Sequence, residues 1–176
     1  MEKYELARKC TDCGFEVKAP LTKREAAFGL FDTEKLFGLT CLKCGGIKSS
    51  GSVDLPILNK ELVSEWAQNE HLYFLSQDEE LILGTGEYFE LIIEVLDNPQ
   101  TLLHKKYVLL YALCVIVFDE TVERGKNWKP EVKLKCRAIK ELNKRKNLLI
   151  EAGDSIMNYI KEVVYPQLEM GWRSKD

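Results

Sequence analysis

Two cysteine pairs with the same internal spacing, Cys10-Thr11-Asp12-Cys13-Gly14 and Cys41-Leu42-Lys43-Cys44-Gly45, constrain this chain more than any other feature. Together they read C-x2-C-x27-C-x2-C, and the glycine after each pair permits the tight turn that aims two thiolates at one ion. Zn2+ takes four tetrahedral sulfur ligands in closed structural sites, so Cys10, Cys13, Cys41 and Cys44 would hold one zinc with no ligand from elsewhere. Four unrelated buried cysteines would not repeat both the spacing and the glycine. The intervening 27 residues exceed the roughly 15 to 20 usual for such pairs. A redox dithiol is the competing chemistry for a CxxC, but it calls for a single pair in a βαβ context.

The compartment follows from the same residues. The N-terminus MEKYELARKC has no apolar h-region, so a reducing cytoplasmic location is expected and disulfides are not. The longest apolar run, Tyr107 to Phe118, is 12 residues, against the roughly 20 a membrane-spanning helix needs. It reads as a buried core helix. Cys114 lies in that run and Cys136 on the apolar side of a later helix, and both read as inert core thiols.

These knuckles resemble zinc-ribbon domains, in which two CxxC turns on short hairpins clasp one zinc. The resemblance covers less than a third of the chain and implies the metal and a shape, with the ligand role carried to Cys10, Cys13, Cys41 and Cys44. Zinc ribbons serve in transcription factors, ribosomal proteins, tRNA enzymes and interaction modules, so no single function is implied.

Breakers and periodicity give the remaining organisation. The run Gly45 to Ser52, GGIKSSGS, reads as a linker that separates a zinc-ribbon module over 1–52 from a helical domain over 53–176. In the module, Phe15 to Lys18 alternates as a strand and Leu21 to Phe37 reads as a helical insertion. Beyond it a surface helix is expected over Glu61 to His71. A capping box at Ser76-Gln77-Asp78-Glu79 opens the next, and Glu87 to Leu96 places Tyr88, Leu91, Ile92 and Val95 on an apolar stripe. The run through Leu102 to Val117 is the central helix, followed by a basic helix over 131–146 and a last helix closed by Pro166. The expected fold is mainly α, a small ribbon of short β-hairpins with a helical insertion, then a bundle of five or six helices. In size, acidic helices and turn-rich layout, the helical part resembles small bacterial immunity proteins, including those of contact-dependent inhibition systems.

No catalytic motif is present, and no catalytic residue is assigned. His71 and His104 sit in no metal or nucleophile pattern, and Gly84-Thr85-Gly86 lacks the strand and third glycine of a phosphate cradle. Charge carries the functional reading instead. Residues 51 to 100 hold eleven acids against Lys60, a net −10, whereas residues 124 to 146 hold ten basic groups against Glu131 and Glu141, a net +8. The expected function is non-catalytic binding: an immunity or inhibitor protein that neutralises a basic, nuclease-type toxin through acidic helices. Glu79, Glu80, Glu87, Glu90, Glu94 and Asp97 would supply the charge, and Trp66 and Tyr88 the anchors, with Tyr73, Phe74 and Phe89 as further aromatic candidates. The alternative is nucleic-acid binding by a zinc-ribbon, transcription-associated regulator, with Lys133, Arg137, Lys140 and Lys144 following a phosphate backbone and Trp128 stacking. A third reading pairs the basic helix with the acidic helices inside the fold.

Overall fold

A computed structural model describes residues 4–75, 79–118 and 132–152. The chain forms two compact units, Met1–Leu62 with Leu72–Gln77, and Val63–His71 with Asp78–Asp176. Among the described residues the secondary structure is mainly helical, with one small antiparallel sheet near the N-terminus.

In the first unit, strands β1 (Tyr4–Cys10), β2 (Glu16–Leu21) and β3 (Ser49–Val53) form a sheet in the order β2-β1-β3. Period-2 alternation puts Leu6, Val17, Ala19 and Leu21 on one face, and they bury against Ala26 and Phe37 of two short helices, α1 (Lys23–Phe28) and α2 (Thr33–Phe37). The predicted helical insertion is therefore two helices. A capping box starts α1, in which Thr22 Oγ1 accepts the Glu25 N–H at 3.2 Å while the Glu25 carboxylate accepts the Thr22 N–H at 2.8 Å. Gly29 stops it with φ of 65°, and a Cβ there would meet Leu75 Cδ1 at 2.9 Å. That closeness reflects the chain's return at residues 72–75, where the Leu75 N–H bonds Ala27 O and Phe74 stacks on Phe28.

The predicted linker needs correction. Ser49 to Val53 pairs with β1 in register Cys10↔Ser49 to Leu6↔Val53, so most of the Gly/Ser-rich run is knuckle and strand. Low propensity is overridden because the second knuckle delivers the chain directly beside β1, where its backbone groups are satisfied.

The second unit is helical among its described residues. Helix α3 (Lys60–Gln68) buries Val63, Trp66 and Ala67, each 0% exposed, so its apolar stripe is a full core contact. Then come α4 (Glu79–Leu83), α5 (Phe89–Asp97), α6 (Leu103–Phe118), α7 (Val132–Lys144) and α8 (Lys146–Glu151). Helix α6 packs against α4, α5 and α7 and is buried nearly all round from Leu109 to Val117, as its unbroken apolar run requires. The buried stripe of α5 is Phe89, Ile92, Val95 and Leu96, so Tyr88 and Leu91 lie at its margin. Ser76, Trp128 and the last helix beyond residue 152 lie outside the described residues.

A charged group is sealed into this core. Lys105 on α6 is 1% exposed, with its ammonium 4.6 Å from the Trp66 ring centroid and 4.0 Å from Glu79 Oε2. Glu79 in turn accepts the Trp66 indole N–H at 2.7 Å. Burial lowers the Lys105 pKa and the nearby Glu79 charge works against that shift, so the triad stands or falls together.

Two predictions follow from these contacts. Glu79→Ala removes the carboxylate beside a buried ammonium and should cost about 3 kcal/mol in urea denaturation, whereas Glu90→Ala, removing an exposed partner of Arg137, should cost less than about 1 kcal/mol. Equal losses would show that burial of the triad is not what matters. The Thr22 backbone and hydroxyl hold the Glu25 carboxyl below its ordinary 4.5. A depressed folded value means that this cap's stabilisation is present above pH 4.5 and fades as pH falls through the folded value, so acid unfolding of Glu25→Gln should lack that component.

Candidate metal centre

The four predicted cysteines converge. Cys10 ends β1, Cys13 closes the first turn, and Cys41 and Cys44 frame the second, with all four sulfurs within 4.8 Å of one another. The shortest approaches cross between turns, Cys10 to Cys44 and Cys13 to Cys41, each at 3.6 Å. Four thiolates at about 2.3 Å around one tetrahedral ion would stand roughly 3.8 Å apart, so this spacing fits a metal ion such as zinc.

The turns are built alike. The Gly14 N–H bonds Cys10 O at 2.9 Å and the Gly45 N–H bonds Cys41 O at 2.8 Å. The Cys10 N–H bonds Phe15 O and the Cys41 N–H bonds Gly46 O in the same relation. Both glycines hold φ near 73°, the left-handed region, which explains the repeated C-x-x-C-G. In the second turn the Lys43 N–H points at Cys41 Sγ and the Gly46 N–H at Cys44 Sγ, each at 3.4 Å. Backbone N–H groups of Cys44 and Lys43 draw the Cys41 thiol down to about 6. Cys44 is pushed up to about 12 despite the Gly46 N–H, because the sulfurs of Cys13 and Cys10 crowd it. Crowded thiols give up their protons as a set to a cation, so metal affinity here is tied to proton release.

The 27 residues between the pairs are accounted for by β2, α1 and α2. Arg8, two residues before Cys10 and on the same face of β1, fastens this insertion. Its guanidinium donates to the carbonyls of Gly38 and Leu39, just after α2, and to Ser49 Oγ on β3. It thereby holds the chain entering the second turn against the sheet. No motif marks this arginine, though its alternation with Leu6 and Cys10 puts it on the inner face.

The predicted partner surface is only partly exposed. Trp66 and Glu79 belong to the buried triad, and Phe89 and Phe74 are 3% and 5% exposed, so none of these is available as an anchor. Each is core because its helix or return segment turns that side inward. Glu87, Glu90, Glu94 and Asp97 are exposed and Tyr88 is half-buried, while the Glu80 side chain lies outside the described part. Arg137 reaches Glu90 at 2.5 Å and lies over the Phe89 ring, and Arg145 reaches Asp97 at 2.6 Å and Glu141 at 2.5 Å. The basic helix therefore does pair with the acidic one. Lys144 reaches Glu141 at 2.6 Å, while Lys133 and Lys140 are exposed on α7. Cys114 is buried and its thiol pushed up to about 12 by that burial, as an inert core thiol should be. Both histidines are exposed.

Comparison with known proteins finds no family model, no curated protein and no solved structure that matches the chain.

Because only the left-handed conformation closes these turns, Gly14→Ala and Gly45→Ala should each destabilise the first unit by about 1 kcal/mol. A Cβ meets nothing within 4 Å at either site, so the loss would be conformational. Thermal melts unchanged by both substitutions would remove the turn argument.

Proposed function

We propose that this chain acts by binding and not by catalysis, and that its N-terminal unit is a zinc ribbon holding one structural Zn2+ on Cys10, Cys13, Cys41 and Cys44. The observation that carries this reading is the closed set of four sulfurs within 4.8 Å, which fills a tetrahedral ion and leaves it no open position for a substrate. A metal so held serves folding, and its binding energy is folding energy.

The finer reading is an immunity-type inhibitor that docks on a basic protein, such as a nuclease toxin, in the cytoplasm. Its support is the net −10 over residues 51 to 100 together with Glu87, Glu90, Glu94 and Asp97, all exposed on or beside the single helix α5. Carboxylates crowded on one helix raise the rate of encounter with a cationic groove. Arg137 and Arg145 each pair with one of them, Glu90 and Asp97. A nucleic-acid reading is weaker, since Arg137 and Lys144 of its four residues already face carboxylates.

The test has two arms. Purified protein should carry one zinc per chain by elemental analysis, and Cys13→Ser with Cys44→Ser should abolish it; metal-free protein with an ordered sheet would refute the ribbon. Separately, a panel of basic nuclease domains should be captured stoichiometrically in a salt-sensitive manner. Reversing Glu87, Glu90 and Glu94 to lysine should abolish that capture. Retention of binding after reversal, or binding only of nucleic acid that is lost with Lys133→Ala and Lys140→Ala, would overturn the inhibitor reading.

A further inference from the structure

The two edges of the sheet differ in a way that bears on binding. The Cys10 N–H to Phe15 O bond fixes Cys10↔Phe15 as a hydrogen-bonded pair, so in the alternating antiparallel pattern Val17, Ala19 and Leu21 bond inward to β1. Glu16, Lys18 and Pro20 then direct their backbone outward from β2. A lysine, a glutamate and a proline are the residues that keep another strand from adding to an edge.

The opposite edge has no such guard. Thr11 N–H to Lys48 O and Asp54 N–H to Glu5 O set the alternation on the other side, so Ser50 and Ser52 bond inward and Ser49, Gly51 and Val53 direct their N–H and C=O groups outward from β3. Among the described residues those outward groups have no hydrogen-bond partner, and Ser49 to Ser52 are exposed. Nothing in β3 before Val53 is larger than serine. Gly51 is not demanded by packing, because a Cβ there would meet only Ala7 O, at 3.7 Å.

Beside this edge lies a cleft of about 390 Å³ lined by Ser49, Gly51, Gly38, Arg8, Leu39 and Ile47, with Thr33 and Glu34 at its α2 end. Leu39 is 66% and Ile47 75% exposed, so both aliphatic side chains flanking the groove are open to a ligand. Arg8 brings a positive charge that donates to two carbonyls and a hydroxyl and, among the described residues, pairs with no carboxylate.

We propose that the outer edge of β3 is a docking site for an extended segment of a partner protein, which adds as a fourth strand. The free backbone groups of Ser49, Gly51 and Val53 dictate the extended form, since only a strand presents donors and acceptors at that repeat. Its inward side chains lie in the cleft, an apolar one between Leu39 and Ile47 and an acidic one toward Arg8. This deepens the binding reading by naming a surface and a recognition mode for the N-terminal unit.

The full-length, metal-loaded chain would be panned against a displayed library of random peptides, and the enriched peptides synthesised. Enriched sequences should alternate apolar residues with an acidic one among the inward positions. Hydrogen exchange at the Ser49, Gly51 and Val53 amides should slow on binding. Gly51→Pro removes one outward donor without touching the bonds to β1 and should weaken binding about tenfold with zinc content unchanged. The pair Leu39→Ser and Ile47→Ser should weaken it by a similar factor. Peptides that bind Gly51→Pro as tightly as the parent, or that protect amides on α5 or α7 instead, would overturn the edge site and leave the binding function standing. A library from which nothing is enriched would also overturn it, while the basic-protein panel would still decide the inhibitor reading.

Discussion

The first unit depends on bringing together two turns separated by 27 residues. Closing a loop of that length costs chain entropy that grows with its logarithm, and a few backbone hydrogen bonds would not offset it. Strand β1 does much of the work, because it is the central strand and hydrogen-bonds to both neighbours. It carries Leu6 into the core, Arg8 to the carbonyls after α2 and Cys10 to the sulfur cluster, all from one face. Core, staple and metal ligand thus share seven residues, and a change in the register of β1 would misplace all three at once.

The hydrophobic cluster beneath the sheet is small, with Leu6, Ala19, Leu21, Ala26 and Phe37 buried and Tyr4, Val17, Phe31 and Val53 packed at its margin. A unit of this size buries a modest fraction of its surface and commonly needs a second source of stability. The four converging cysteines could supply one by holding a metal ion such as zinc. The second unit differs in kind, since the unbroken apolar surface of α6 gives it a core of ordinary composition, and it accommodates a buried lysine by placing it over Trp66 and beside Glu79. In the first unit the polar chemistry lies at the clustered cysteines, where a metal ion could be held; in the second it is enclosed by apolar packing.

Features set by local spacing were legible in the sequence. The C-x-x-C-G repeat identifies both turns because their geometry closes within five residues, and the break at Asp97-Asn98-Pro99 and the apolar run of α6 mark elements whose period is local. Thr22-x-x-Glu25 carried the signal of a capping box at α1, and the run KREAAF after it reads as helix with or without noticing that cap. What composition misled was β3, where Ser49-Ser50-Gly51-Ser52 has the residues of a linker and becomes a strand only because Thr11 and Lys48 meet across the turns. Trp66 and Phe89 are buried for a related reason, while Tyr73 is 62% exposed. A helical period fixes which residues share a face but not which face turns inward, so Trp66 and Phe89 could be read outward with equal consistency. Lys105 was not legible at all, because the two groups that make its burial tolerable lie 39 and 26 residues away.

The same limit bears on charge. A net −10 followed by a net +8 along the chain suggests two competing interaction surfaces, yet the structure sets α7 beside α5 and matches Arg137 with Glu90 and Arg145 with Asp97. Two of the ten basic groups in that stretch, Arg137 and Arg145, are thereby set against α5. Exposed pairs of this kind contribute little to stability, so their effect is on which arrangement forms and on the field left outside. Cations drawn toward α5 pair with part of its face, Arg137 with Glu90 and Arg145 with Asp97. The surface that a partner meets is therefore a remainder after internal pairing, and it has to be read from the fold and not from the running charge of the sequence.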